Sequence, residues 1–205
     1  MDEQSDTLYM KEPHTALFVG PTGCGKTERV LQLLETEYKE HFDFIVIICP
    51  TLRWNTTYRD RKWFWADHYV ILIEPEGRLY EWIMKMDYFC AGYKTLFLID
   101  DIIADDSLDK KRQPLLELAI SGRHRNQSVW LLTQSYTAIP KNLRRQVKML
   151  YVWYPKDRND LKTIHEENDV IETLEELTTV KTKLKEGKYT CLVMRIEHPR
   201  RYEVC

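Results

Sequence analysis

One octapeptide, Gly20-Pro21-Thr22-Gly23-Cys24-Gly25-Lys26-Thr27, constrains this chain more than any other stretch. It matches G-x-x-x-x-G-K-[ST] in full, and three of the chain's seven glycines fall between Gly20 and Gly25. Glycines let a backbone turn its N–H groups inward around an anion, where side chains would obstruct the approach. Ahead of the loop stands the apolar run Ala16–Val19. Behind it, Lys26–Tyr38 sets Val30, Leu33, Leu34 and Tyr38 on one helical face. A glycine loop between a strand and a helix predicts a polyphosphate cradle, with the helix contributing its positive dipole end. Lys26 is expected to reach the β- and γ-phosphates of a nucleotide, and the Thr27 hydroxyl to ligate Mg²⁺. A chance glycine-rich turn would not carry those flanks.

The rest of the chain alternates in the same way. Strands are expected at Phe44–Cys49, Tyr69–Ile73, Leu96–Ile99, Val129–Thr133 and Met149–Tyr154. Most are continuous apolar runs, as in a parallel sheet covered on both faces. Between them, Trp82, Ile83, Met86 and Phe89 share a helical face, and Pro114 sits where a first helical turn tolerates it. Asp157 and Asp169 are expected N-caps of two further helices. Tyr189–Ile196, then His198-Pro199 and Tyr202–Val204, read as a terminal β-hairpin. The pattern predicts an α/β fold with a mainly parallel central sheet covered by helices.

At 205 residues and 43% hydrophobic the chain suits one packed domain, taken as 14–205 after an acidic segment 1–13. Thirty basic against 32 acidic residues leave a net charge of −2, so nucleic acid can only be met through local patches. The longest apolar run, Phe44–Cys49, falls far short of the roughly 20 residues that span a bilayer. No secretory signal is visible at Met1–Asp6. Five widely spaced cysteines lack disulfide-framework or zinc spacing, which suggests a soluble protein in a reducing compartment.

The run Leu96–Ile99 closes in Asp100-Asp101. Carboxylates at a buried strand end are costly unless a cation or hydrogen bonds compensate. Asp100 suits a Mg²⁺ shell, and Asp101 could polarise an attacking water as general base. The plainer alternative is a strand running into an acidic loop, since Asp105, Asp106 and Asp109 follow. Val129–Thr133 ends at Gln134, positioned either to bond a γ-phosphate or lytic water or simply to begin a helix cap. Upstream, Arg123 and Arg125 stand at that strand's amino end. They point away from their own pocket and either serve a neighbouring subunit's pocket or form a solvated basic turn.

Together, Gly20–Thr27, the Asp100-Asp101 strand, the Arg123–Asn126 turn and the Val129–Gln134 strand resemble the poxvirus-type viral genome-packaging ATPases of the FtsK–HerA superfamily. The likeness runs from about Ala16 to Tyr154, and the Tyr69–Ile73 run fits the additional-strand group of P-loop ATPases. It implies a RecA-like core and an ATP-driven motor that forms a homo-oligomeric ring on double-stranded DNA. Such a motor works at a capsid or portal, in the host cytoplasm, a viral factory or the virion. It further implies that Gly20–Thr27 bind ATP, Thr27 and Asp100 hold Mg²⁺, Asp101 activates water, Gln134 senses phosphate and Arg123 is a trans finger. The aspartate at Asp101 departs from the glutamate usual in the superfamily, and no large added DNA-binding domain is expected.

Two patches invite DNA. Lys110-Lys111-Arg112 is one; the other interleaves Arg53, Trp54, Tyr58, Arg59, Arg61, Lys62, Trp63, Phe64 and Trp65. Aromatics at that density also pack ordinary cores, and Lys141, Arg144, Arg145 and Lys148 could be a solvated helix face. Two other functions fit the same loop: a small-molecule kinase and a nucleotide-gated assembly module without turnover.

Overall fold

Strand β1 (Thr15–Val19) is buried along its whole length, and its side chains alternate between two cores. Leu17 and Val19 enter one, Ala16 and Phe18 the other. The same alternation runs through β2 (Phe44–Ile48), β4 (Thr95–Asp100) and β5 (Gln127–Thr133). A strand with both faces dry has no polar side to show, which is why these segments read as unbroken apolar runs. Each fully buried Leu, Ile or Val contributes on the order of 1.5–3 kcal/mol, so every central strand helps to hold the sheet.

The computed structural model describes residues 8–63, 69–74, 79–100 and 112–205. Among these, eight strands form one sheet in the order β3-β2-β4-β5-β1-β6-β7-β8. Here β3 is Val70–Ile73, β6 Val147–Trp153, β7 Cys191–Arg195 and β8 Arg201–Val204. The strands from β3 to β6 pair in parallel, and β7 and β8 add an antiparallel hairpin. The chain therefore has the expected α/β fold with its terminal hairpin. Helix α1 (Lys26–Glu35) covers one face through Val30, Leu31, Leu33 and Leu34. The short α2 (Thr56–Arg59) follows β2. The other face is covered by α3 (Leu79–Phe89), α4 (Arg112–Ser121), α5 (Lys141–Arg144), α6 (Arg158–Glu167) and α7 (Leu174–Glu186).

Several local expectations need correction. Helix α1 stops at Glu35, and Tyr38 reaches the core from the following turn, its N–H donating to the Leu33 carbonyl at 2.8 Å. Asp157 does cap α6, accepting from Asn159 N. Asp169 caps nothing: α7 begins after Thr173, which forms a capping box with Glu176, while Asp169 accepts a bond from Arg200 at 3.0 Å. The run 70–73 is an edge strand paired only to β2. The strand interposed between β1 and the acidic strand β4 is β5. Ahead of β1, Met10 is buried in the α1-side core, with Leu8 and Tyr9 packed against it.

His14, beside β1, is buried between aromatic rings. Its Nδ1 lies 2.8 Å from the Glu12 carbonyl, and Trp130 Nε1 donates to its Nε2 at 3.2 Å. That pair of contacts requires a neutral ring protonated on Nδ1. Burial, reinforced by the charges of His41 and Lys148, lowers its pKa from 6.5 to about 4. Between those values the unfolded chain binds a proton that the folded chain refuses. The stabilisation is thus complete above the unfolded value and lost as pH falls toward the folded one. The loss is about 3 kcal/mol in all. Denaturant midpoints at about pH 7 and about pH 5 should show a fall that shrinks in His14→Gln. An equal fall in both proteins would assign the acid sensitivity elsewhere.

Candidate active site

The carboxyl ends of β1, β4 and β5 lie side by side, because the three strands run parallel in adjacent positions. The loop leaving β1 is anchored by a bond from Gly20 N to the Thr133 carbonyl at the end of β5, 3.1 Å. A Cβ on Gly20 would meet Cys24 Sγ and Trp153 Cβ, each at 2.8 Å, so any side chain there would displace the loop. Gly23 and Gly25 have φ of 75° and 102°, left-handed conformations that side chains strain. Burial pushes the Cys24 thiol up, so this cysteine is a packing group.

Lys26 folds back across the loop, Nζ donating to the carbonyls of Gly20 (2.6 Å) and Pro21 (3.1 Å). Thr27 Oγ1 donates to Asp100 Oδ2 at 3.2 Å. Asp100 is 6% exposed, and its Oδ2 also accepts from the Tyr58 hydroxyl at 2.8 Å. A buried carboxylate beside a threonine hydroxyl is an oxygen donor pair suited to a hard cation such as Mg²⁺. Among the described residues no group of three or more His, Cys, Asp or Glu could hold a metal.

A cleft of about 340 Å³ opens here, lined among others by Lys26, Thr27, Asp100, Gln134 and Tyr189. The structure thus brings Gln134 to the same cleft as the loop and Asp100. Asp101 lies outside the described residues, as do Lys110, Lys111, Phe64 and Trp65.

Tyr58 is the functional residue that sequence reasoning misassigned. It is fully buried in α2, whose N-cap Asn55 accepts from Thr57 N, and it reaches Asp100 across the sheet end. Burial first, then the Asp100 charge, pushes its phenol well above the usual range, so it remains a donor. Its neighbours are also largely committed to the protein. Trp63 Nε1 bonds Glu35 at 2.8 Å, Arg61 pairs with Glu28, and Arg53 pairs with Glu74 at 2.7 Å. Tyr58, Arg61 and Trp63 are thus held by internal contacts, whereas Trp54 stands 82% exposed. Arg144 likewise is no solvated group: it clamps Glu167 through two bonds of 2.7 and 2.8 Å. Tyr58→Phe is expected to weaken Mg²⁺-dependent nucleotide affinity about tenfold, the usual cost of losing a group that orients a ligand carboxylate. An affinity equal to that of the unmutated chain, titrated with and without Mg²⁺, would make the Tyr58 contact merely structural.

The Gly122–Arg125 turn stands at the amino end of β5, opposite Gln134. Arg125 is tied down, with Nε donating to Asp87 Oδ1 at 2.8 Å and a terminal nitrogen to Ser121 Oγ at 3.0 Å. Arg123 is exposed, and its side chain makes no hydrogen bond or ion pair among the described residues.

A parallel sheet with β5 between the loop strand and the acidic strand, and the loop lysine and threonine facing a buried aspartate, defines an additional-strand P-loop NTPase. The chain belongs to the Poxvirus A32 protein family, which it matches over residues 3–197. Its fold is similar to the DNA-packaging ATPase B204 of Sulfolobus turreted icosahedral virus, with a TM-score of 0.69 and 14% identity over 95% of this chain and 98% of that one. B204 of Sulfolobus turreted icosahedral virus 2, in complex with AMPPCP, gives 0.66 and 15% over 96% and 98%. The conjugation coupling protein TcpA of pCW3 gives 0.60 and 13% over 94% and 60%. No curated protein matches the sequence. No helix of the described residues is long and apolar enough to cross a membrane.

Proposed function

We propose that this chain is a Mg²⁺-dependent ATPase and the motor subunit that drives viral double-stranded DNA into a capsid. The observation that carries the reading is the Thr27–Asp100 contact at the mouth of an intact phosphate loop, in a chain of the Poxvirus A32 protein family. The B204 relatives, described as genome-packaging NTPases and solved with AMPPCP and ATPγS, support ATP as the nucleotide. Backbone N–H groups of Gly20–Thr27 cradle the phosphates, and Lys26 turns from the loop carbonyls to the β- and γ-phosphates. Thr27 and Asp100 hold Mg²⁺, which when bound neutralises charge on the phosphate oxygens. Asp101 takes the proton of the attacking water, and Gln134 orients that water or the γ-phosphate. The subunits work as a homo-oligomeric ring at a capsid or portal, in the host cytoplasm, the viral factory or the virion.

The decisive measurement is the ATPase rate with and without linear double-stranded DNA. A motor should be accelerated, whereas a kinase or an assembly switch should not respond. Run alongside, Asp101→Asn should keep nucleotide affinity while hydrolysis slows by on the order of 10²–10⁴. A DNA-insensitive rate would remove the motor reading, and an unimpaired Asp101→Asn would remove the base.

A further inference from the structure

The phosphate cleft continues into a second, smaller space of about 210 Å³ on the loop side of α1. Of these two spaces, Asp100 and Gln134 line the cleft and not the notch, while Trp153 and Cys191 line the notch and not the cleft. Gly25, Glu28 and Tyr189 line both. A third space, of about 350 Å³ and edged by Lys185 and Lys188, also adjoins the loop at Thr22 and Gly23. Only the smaller notch shares the Tyr189 ring with the cleft, and a nucleotide whose terminal phosphate faces Asp100 and Gln134 reaches it past Tyr189. We infer that this notch is the nucleobase seat, and that Tyr189 is the ring on which the base stacks. The inference rests on the nucleotide reading above and adds the recognition of the base.

Tyr189 is an unusual place for a large ring to stand open. It is 66% exposed, yet its ring lies against the loop, and a Cβ on Gly25 would stand 3.3 Å from its Cδ1. The ring is thus held at the cleft mouth by a glycine of the phosphate cradle and by the Lys188 ammonium, 5.1 Å from its centroid, rather than by the core. Exposed aromatic faces beside a phosphate-binding groove are what bases stack on. The floor of the notch suits a planar, weakly polar guest. Trp153 and Cys191 are buried, and burial pushes the thiols of Cys24, Cys191 and Cys205 up, which keeps them uncharged.

The polar side chains on the notch wall are mostly engaged with each other. Arg29 donates to Gln32 Oε1 at 3.0 Å and to the Tyr9 hydroxyl at 3.0 Å. Those bonds occupy its terminal nitrogens and its Nε is buried from solvent, so the guanidinium has little left to read a base edge. The seat accordingly grips base faces and discriminates poorly between purines.

The test is calorimetric binding of ATP, GTP and inorganic tripolyphosphate, each with Mg²⁺, to the unmutated chain, Tyr189→Ala and Tyr189→Phe. ATP and GTP should bind within about threefold of one another, and Tyr189→Ala should weaken both about tenfold, the range for one lost base stack. Tripolyphosphate has no base, so its affinity should not change in Tyr189→Ala, which also reports that the loop is intact. Tyr189→Phe, which restores the ring face, should recover the nucleotides. Equal losses for ATP and tripolyphosphate, or no loss for ATP, would overturn the seat while leaving the phosphate cleft standing. GTP binding ten or more times weaker than ATP would overturn recognition by faces alone. An unmutated chain that binds neither ATP nor tripolyphosphate would overturn the nucleotide reading itself, and the seat with it.

Discussion

Lys26→Ala is expected to lower ATP hydrolysis by on the order of 10²–10³, the scale for removing a donor from developing negative charge. Lys26 forms no ion pair among the described residues. Its ammonium bridges the Gly20 and Pro21 carbonyls. Its charge is thus held in place without being neutralised, ready for a polyphosphate. The same geometry predicts a small structural cost, since both carbonyls lie at a solvent-accessible cleft and can bond water instead. The thermal midpoint should hold to within about 1 kcal/mol of stability. Lys26→Arg should fail nearly as badly, because a planar fork cannot replace a compact ammonium inside so tight a loop. Undiminished hydrolysis by pure Lys26→Ala would falsify the assignment of the loop as the site of turnover.

Much of this fold is legible in the sequence because burial on both faces leaves a local signature. The runs 44–49 and 129–132 are apolar at every position, and no partner strand is needed to see that. Their ends are another matter. Gln127 and Ser128 extend β5 because Thr95 and Leu96 of β4 stand beside them, a pairing made across some thirty residues of chain. Asp169 and Thr173 are equally good caps by residue type, and only Glu176, three residues beyond Thr173, decides between them. The order of strands was not legible either. An added strand can be recognised as extra, but its insertion between β1 and β4 is a tertiary choice, and it fell to β5 rather than to the run 70–73.

The candidate site divides in the same way. Lys26 and Thr27 are adjacent in sequence and carry a motif, so their neighbourhood is local. Tyr58 meets Asp100 across 42 positions, and nothing in the run Arg53–Trp63 marks one aromatic as the partner of a carboxylate. Composition there suggests a nucleic-acid platform, whereas the fold spends Tyr58, Arg61 and Trp63 on internal contacts. Residues with long side chains and two plausible uses are assigned by what surrounds them, and that is not written along the chain.

The two arginines of the Gly122–Arg125 turn show the same point, and here the structure separates what the sequence left open. Strand β5 has seven residues, so the turn and Gln134 are about 23 Å apart at roughly 3.3 Å per residue. An arginine side chain cannot cross that distance to its own nucleotide. Arg125 is bonded to Asp87, Ser121 and Gln127, and removing it would strand a largely buried carboxylate. Arg125→Ala should therefore cost stability, about 1–3 kcal/mol, in thermal unfolding. The Arg123 side chain, exposed and without a partner among the described residues, has no such duty. If it completes the neighbouring subunit's site, Arg123→Ala should fold normally and lose on the order of 10³–10⁵ in turnover, the range for an arginine finger. Mixing Arg123→Ala with Lys26→Ala is the direct test. In mixed rings some interfaces join an intact loop from one subunit to an intact arginine from the next, so two inactive proteins should regain part of the activity. The specific rate should also rise with protein concentration, because a lone subunit lacks a complete site. Arg123→Ala that hydrolyses ATP normally, or mixed rings that stay inactive, would return this turn to a solvated edge of the sheet.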